Sequence, residues 1–290
     1  MAEQSITFVT AFFDIDRVTD DPMTKYENYF GLIQKLLTIP VNIYFITTPA
    51  IHDKLQYEKR SSLKFHLVDS VPFFDNLPII ETCWNNYQTS NKRKDTAKFA
   101  CFTHAKFHFV QQAITANPFN STHYAWMDAG ILKIATNPER LIQLRAPDKI
   151  KLLMLYYINN SETRTYNFVL TCRYKIAGGF FVGPRELMSK FYEEVKLEAE
   201  ASIKQNIFGL EQEYMAIVYR KHPELFEPYY GGFCDLFTNY DTCCNSFGLV
   251  TNFLKQAIED NDFIEARKVA KYLLASPNYT GNRQALLALL

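Results

Sequence analysis

One aspartate stands at the end of an apolar segment. Residues 123–130 read HYAWMDAG, so five uncharged and mostly apolar residues run directly into Asp128 and then into the small residues Ala129 and Gly130. Ligands of α/β proteins collect beyond the carboxyl ends of the strands, where loops converge. The segment therefore predicts a buried strand that carries Asp128 to a ligand site, with two small residues that leave room for a bulky ligand. The alternative is a carboxylate that only caps the next turn.

The first apolar segment of the chain also ends in polar residues. Residues 9–17 read VTAFFDIDR. At this strand end Thr10 and Ala11 would let a base or ribose rest on the backbone, and Asp14, Asp16 or Arg17 would contact its polar groups. A solvated loop is the alternative interpretation of the same residues.

Two adjacent glycines interrupt a later apolar segment, KIAGGFFVGPREL, at Gly178 and Gly179. Glycine weakens the interior of a strand, and it commonly marks a bulge or a close approach of the backbone to another group. We therefore expect the pair to border a ligand. A bulge without a ligand is the alternative.

Two glutamates open a predicted helix in the segment GLEQEYMAIVYRK. At about 100° per residue Glu211 and Glu213 lie roughly 200° apart, so only one of them can face a given cleft. The alternative is that both are solvated acids in the first turn, where the helix dipole favours negative charge.

The elements that must position these residues alternate between strand and helix, which is typical of the α/β class. Helical periodicity and apolar, β-branched segments define eleven candidate elements before residue 245. The predicted strands are Ile6–Phe13, Asn42–Thr47, Leu63–Val68, Tyr124–Met127, Lys151–Tyr157 and Ala177–Val182. The predicted helices are Lys25–Thr38, Ala50–Lys59, Thr96–Thr115, Arg185–Glu200 and Leu210–Arg220.

The pattern changes after residue 245. Two amphipathic helical patterns, around 250–258 and 266–274, are joined at Asn261-Asp262, and they predict a helical hairpin. We therefore divide the chain into an α/β domain over residues 1–245 and a C-terminal helical extension over residues 246–290. Packing of the hairpin on the domain is the ordinary outcome, and a homo-oligomer contact through these helices is the alternative.

The overall charge is balanced, because Lys plus Arg and Asp plus Glu both number 31. A chain without a net positive charge has no field to hold a polyanion, so nucleic acid is not an expected partner. The amino terminus lacks a basic segment before its apolar residues, and these stop at Asp14, too early for a secretion signal or a membrane span. We expect a cytoplasmic protein without a transmembrane segment.

Four segments, taken in order, resemble the HtrL/YibB-like family and, more broadly, nucleotide-sugar glycosyltransferases of the GT-A fold. They are TFVTAFFDIDR, DTAKFACFTHAKFHFVQQAITANPF followed by HYAWMDAGI, IAGGFFVG, and GLEQEYMAIVYRKHPELFEPYYGGFCDLFTNY. The resemblance covers about residues 5–245. It implies a GT-A-like, Rossmann-like mixed sheet flanked by helices, and the transfer of a hexose from a nucleotide-diphosphate sugar, expected to be a UDP-sugar, to a hydroxyl of a glycan or other acceptor.

The resemblance also implies roles for particular residues. Glu211 or Glu213 would meet the acceptor hydroxyl as a general base, or would position the transferring sugar, and Asp128 would be the third catalytic residue. Lys98 or Lys106 would contact the diphosphate. The remaining implied contacts of the nucleotide sugar are Thr10, Ala11, Phe12, Arg17, Trp126, Ala129, Gly130, Gly178 and Gly179.

One position departs from the family pattern. Many GT-A enzymes hold a divalent cation with Asp-x-Asp, and here the second position is Gly130. A Mn or Mg ion needs several oxygen ligands, so Asp128 would need help from Asp235, His222 or Glu211. Alternatively, lysines and arginines replace the metal, or the chain is a catalytically inactive sugar- or protein-binding module of the same fold.

Overall fold

The computed structural model describes residues 5–15, 26–72, 74–89, 95–135 and 137–290. Seven strands in these residues form one sheet. They are β1 (Ile6–Phe12), β2 (Asn42–Thr47), β3 (Leu63–Leu67), β4 (His123–Met127), β5 (Lys151–Met154), β6 (Ile176–Pro184) and β7 (Tyr229–Tyr230).

Ten α-helices lie in the same described residues. They are α1 (Tyr26–Leu37), α2 (Pro49–His52), α3 (Leu77–Trp84), α4 (Ala97–Ala116), α5 (Arg140–Gln143), α6 (Arg185–Ile203), α7 (Glu211–Lys221), α8 (Phe247–Glu259), α9 (Phe263–Leu274) and α10 (Arg283–Leu287). The predicted α/β class, with a mixed sheet flanked by helices and followed by a C-terminal helical pair, is confirmed. Across these residues, no helix combines the length and apolar character that crossing a membrane requires.

The strands are ordered β3-β2-β1-β4-β6-β5-β7. The pairs β1–β2, β2–β3, β1–β4 and β5–β7 are parallel, whereas β6 is antiparallel to both of its neighbours. Because β6 alone is reversed, its first residues lie at the edge where β1 and β4 end. The glycine pair near the beginning of β6 therefore meets Asp128, which directly follows β4.

The apolar character of β4 follows from burial on both faces. Tyr124 and Trp126 belong to one hydrophobic cluster, and Ala125 and Met127 belong to another on the opposite face. Strands covered by helices on both faces read as continuous apolar segments rather than alternating ones. Such a strand is a rigid support for the charged residue that follows it.

Helix α4 packs against β1 and β4 and places a lysine inside the protein. Its side chains include the buried Phe107 and Phe109, and the ring of Phe109 stacks on Trp126 with centroids 6.3 Å apart. The helix begins after Thr96, whose side chain accepts a hydrogen bond from the backbone N–H of Phe99, as an N-cap residue does. This packing directs Lys106 of α4 towards the end of β4.

Candidate functional site

A cleft of about 570 Å³ opens at the edge of the sheet where β1 and β4 end. It is lined by residues that follow these strands, by the beginnings of β6 and α7, and by one side of α4. Concave sites of about 300–1,000 Å³ are typical of small-molecule binding. The sequence-predicted residues in its lining are Ala11, Phe12, Asp14, Lys106, Trp126, Asp128, Ala129, Gly130, Gly179 and Glu211.

Lys106 joins two carboxylates at the base of this cleft. Its Nζ lies 2.7 Å from Glu211 Oε1, 3.2 Å from Asp128 Oδ1 and 3.0 Å from the backbone oxygen of Gly178. An ammonium group has three N–H donors, and here all three are directed at protein oxygens. Lys106 is not a surface lysine, because its side chain is buried.

The charges of this cluster support one another. Burial by itself lowers the pKa of Lys106, but the negative charges of Asp128 and Glu211 outweigh it and raise that pKa overall. Burial likewise raises the pKa of Glu211, and the Lys106 charge and hydrogen bond outweigh it, so the Glu211 pKa is lowered. At neutral pH Glu211 and Lys106 are therefore both ionised.

Asp128 is the exposed member of the cluster. Its side chain is 42% exposed, whereas that of Glu211 is 3% exposed. The Trp126 indole N–H donates to Asp128 Oδ1 at 2.7 Å, and the Asp128 backbone N–H donates to the Gly179 oxygen at 2.9 Å. Within the part of the chain that the structure describes, Oδ2 has no hydrogen-bond partner, so it is the carboxylate oxygen available to a ligand.

Close packing excludes a Cβ at two of the three glycines around the cleft, Gly178 and Gly130, whereas a Cβ at Gly179 would make only ordinary or slightly tight contacts. A Cβ at Gly178 would lie 2.4 Å from Glu211 Oε1, and one at Gly179 would lie 3.4 Å from Asp128 Oδ2. At Gly130 a Cβ would lie 2.5 Å from the ring of Tyr29. Gly130 was expected to leave room for a ligand, but the nearest group in that space is the Tyr29 ring.

The two glutamates of α7 separate as their spacing predicts. Glu211 lines the cleft, while Glu213 is buried outside its lining and accepts a hydrogen bond from the Arg173 backbone N–H at 3.0 Å. Burial raises the pKa of Glu213 to about 8, so it is largely protonated at neutral pH. The alternative of two solvated acids is wrong, since both side chains are buried.

Gly178, Thr10 and Lys98 are absent from the described lining of the cleft. Thr10 lies within β1 and is fully buried one residue before the cleft lining begins, and Lys98 lies on α4 outside that lining. Asp16 and Arg17 lie outside the described residues.

The cleft residues described here do not form a divalent cation site. Across the described ranges, no group of three or more His, Cys, Asp and Glu side chains is arranged to hold a metal. The residues expected to assist Asp128 are engaged elsewhere. Glu211 pairs with Lys106, His222 Nε2 lies 3.2 Å from Glu194, and Asp235 accepts hydrogen bonds from Gly232 and Ser246.

Sequence reasoning missed several residues of the cleft. Tyr29 stacks on Phe12 with ring centroids 5.6 Å apart, and Tyr174 and Phe233 lie at the rim. Lys133 and Gln212 also line the cleft. The aromatic residues gave no signal, because Tyr and Phe are frequent throughout the chain. For Gln212, its position beside Glu211 at the beginning of a helix was an available signal.

The mixed sheet, its flanking helices and the charged cleft at the strand ends define an α/β protein with a ligand-sized cleft. Within that class the chain belongs to the HtrL_YibB family, described as a bacterial protein of unknown function, whose sequence profile matches residues 75–242. The resemblance to this family seen in the sequence is confirmed.

Two further similarities were found. Protein HtrL of Escherichia coli strain K12 is 21% identical over 264 residues, and the match covers 81% of this chain and 92% of that protein. The apo crystal structure of mouse xyloside xylosyltransferase 1 is 12% identical, with a TM-score of 0.38, over 79% of this chain and 84% of the mouse chain. A structural similarity of that degree carries no argument about function.

Proposed function

We propose that the protein is a glycosyltransferase that transfers a hexose from a UDP-sugar to a hydroxyl of a glycan or other acceptor. The observation that carries the proposal is the Asp128–Lys106–Glu211 cluster at the base of the cleft, with one carboxylate exposed and the other enclosed. The cleft has a volume of about 570 Å³. This volume lies within the range that is typical of small-molecule sites, and it is large enough for a sugar nucleotide.

In this proposal Asp128 is the residue that contacts the substrate. Its Oδ1 is held by Trp126 and Lys106, so its Oδ2 is fixed in direction and accepts a hydrogen bond from a hydroxyl of the transferring sugar. Groups that are held rigidly before the substrate arrives need no reorganisation during the reaction. Lys106 and Glu211 are the positioning residues that fix Asp128 and the beginning of β6.

The geometry favours positioning over general-base catalysis for Glu211. A general base must reach the proton that it accepts, and it works best with a pKa near the operating pH. Glu211 is enclosed, and its pKa is lowered by Lys106. We propose Lys133, which like Lys106 lines the cleft, as the contact of the diphosphate.

No step of the proposed reaction is assigned to a metal, since the described cleft residues do not form a cation site. Manganese dependence stays a prediction of the family resemblance. It is tested by measuring UDP release from a panel of UDP-hexoses with a glycan acceptor, in manganese and in EDTA.

The decisive comparison is between the native protein and the variant Asp128→Asn. Native protein should release UDP, and the variant should stay folded but lose at least about 100-fold of that rate, the usual cost of removing one directed group from an active site. The control is Asp53→Asn, at a side chain that is 79% exposed. Full activity in Asp128→Asn would overturn the assignment, and UDP binding without release would favour the inactive binding module.

A further inference from the structure

Two large aromatic side chains are exposed at the rim of the cleft. Tyr174 is 42% exposed and Phe233 is 39% exposed, and both line the cleft. Their ring centroids lie 6.3 Å apart with the planes at 75°. Most aromatic residues of this chain are buried in the core, so two exposed rings that meet at a cleft require an explanation.

The backbone holds both rings in place. Tyr174 has φ of 49°, a left-handed conformation that is strained for a bulky residue, and its ring packs edge-on against Phe233. Phe233 begins a short 3-10 turn, which is fixed because Asp235 accepts hydrogen bonds from the Gly232 N–H at 2.8 Å and the Ser246 hydroxyl at 2.5 Å. The rings are therefore presented to the cleft rather than left loose.

The pair lies on the opposite side of Asp128 from the predicted base site. Phe12 ends β1, Asp128 follows β4, and the strand order continues through β6 and β5 to β7, after which Phe233 follows. Tyr174 lies two residues before β6 begins at Ile176. A ligand that reaches from Phe12 to Asp128 therefore leaves the Tyr174 side of the cleft open for a second molecule.

We propose that Tyr174 and Phe233 form a subsite that stacks on a pyranose ring of a glycan acceptor. One face of a pyranose presents C–H groups, and its hydroxyls lie around the edge, so an aromatic ring covers the apolar face without burying the hydroxyls. Tyrosine and phenylalanine supply such a surface with few rotatable bonds to immobilise. That the glycan is an acceptor rests on the proposed transferase function. The contact between the two rings and a glycan does not depend on it.

The test uses the full chain and three trisaccharides as probes: cellotriose, maltotriose and chitotriose. Saturation-transfer NMR and calorimetry would measure their binding and, separately, that of UDP. We expect at least one trisaccharide to bind with its C–H face towards the protein. The double variant Tyr174→Asn/Phe233→Ala should weaken that binding about tenfold or more, since it removes the apolar surface that the sugar would cover, and UDP binding should not change.

Asparagine is chosen at position 174 because it tolerates a left-handed backbone. Tyr174→Phe should keep trisaccharide binding, and Tyr156→Ala, at an exposed tyrosine outside the cleft lining, is the matched control. Unchanged trisaccharide affinity in the double variant, or no trisaccharide binding to folded native protein, would overturn the inference. So would an equal loss of UDP binding, because the rings would then serve the base. Trisaccharide binding without UDP binding would refute only the transferase.

Discussion

At the scale of single residues, Lys106 is important because its ammonium group contacts Glu211, Asp128 and the Gly178 oxygen. Lys106 is 105 residues from Glu211 in sequence, and it is the only described contact that neutralises that buried carboxylate with a full charge. Removing one partner of a buried ion pair leaves the other charged and unsolvated, whereas removing both does not. Lys106 is therefore a stability determinant as well as a positioning residue.

The variant Lys106→Met should lower the free energy of unfolding by about 3–5 kcal/mol, because Glu211 is left unpaired in the interior. The double variant Lys106→Met/Glu211→Gln should recover a large part of this loss. Urea denaturation with both single variants and the double variant measures the coupling. The control Lys255→Met removes an exposed pair with Glu259, for which we expect a change below about 0.5 kcal/mol. Equal effects at positions 106 and 255 would contradict the buried pair.

Glu213 should make the protein less stable as the pH rises, whereas an ion-paired acid makes it more stable. Its pKa is raised by burial from 4.5 to about 8, so the folded protein keeps a proton that the unfolded chain loses. Its contribution is therefore fully present below pH 4.5 and is lost as the pH rises to 8, by up to about 5 kcal/mol. The variant Glu213→Gln should show a flatter dependence over this range and greater stability at pH 8.

Urea unfolding at several pH values checks this prediction, with the exposed Glu139→Gln as control. The control should retain the native pH profile. A Glu213→Gln profile that runs parallel to the native one would mean that Glu213 is ionised in the folded protein.

At the scale of elements, the glycine pair explains how β6 and α7 meet. Gly178→Ala would place a methyl group 2.4 Å from Glu211 Oε1 and 2.9 Å from Gln212, so α7 must move away from β6. We expect a loss of about 1–3 kcal/mol in stability and a fall in UDP release. Gly31→Ala, in α1 with nothing within 4 Å, should instead stabilise by about 0.5–1 kcal/mol. Thermal unfolding of both variants compares them, and equal shifts would refute the close contact.

Most strands and helices could be predicted from the sequence alone. All six predicted strands are present, and Asn42–Thr47 has the predicted bounds, because apolar segments between turns are a local signal. Strand β7 was missed, since it has two residues and exists only through pairing with β5. The predicted helix Ala50–Lys59 is wrong beyond its first turn: α2 ends at His52, and helix α3 was not predicted.

The candidate site divides in the same way. Asp128 and the glycines were predictable because a strand end and an interrupted strand are local features. The contact between Lys106 and Glu211 joins residues on two helices, and the meeting of Tyr174 with Phe233 depends on the antiparallel β6 and on β7. Such contacts are set by sheet order, which no local pattern encodes.

At the scale of the whole molecule, α8 and α9 pack as part of the body. Val250, Phe253, Val269 and Leu273 share one hydrophobic cluster with the sheet and with α4. Polar contacts reinforce the junction: Glu265 accepts hydrogen bonds from the hydroxyls of Tyr219 and Tyr230, residues that the sequence division assigns to the other domain. The C-terminal helices therefore pack on the α/β domain, as expected, and a homo-oligomer contact through them stays a prediction.

Asp262 joins the C-terminal helices to the α/β domain. It caps α9 and pairs with Arg220 of α7 at 2.6 Å. Asp262→Ala removes both a cap and a buried partner, so we expect the free energy of unfolding to fall by about 3 kcal/mol or more. Because Tyr230 and Cys243 also bind the C-terminal helices, through Glu265 and Ser276, the loosening should reach β7 and the segment after it.

Hydrogen–deuterium exchange measures this directly. In Asp262→Ala, amides of α9 and of residues 229–246 should lose protection together, while the exposed control Glu259→Ala leaves both unchanged. Since Phe233 lies in that segment, trisaccharide binding should weaken as well, without direct contact between the substitution and the cleft. If α9 alone lost protection, the C-terminal helices would be an independent unit, and the division at residue 245 would describe two domains rather than one cooperative fold.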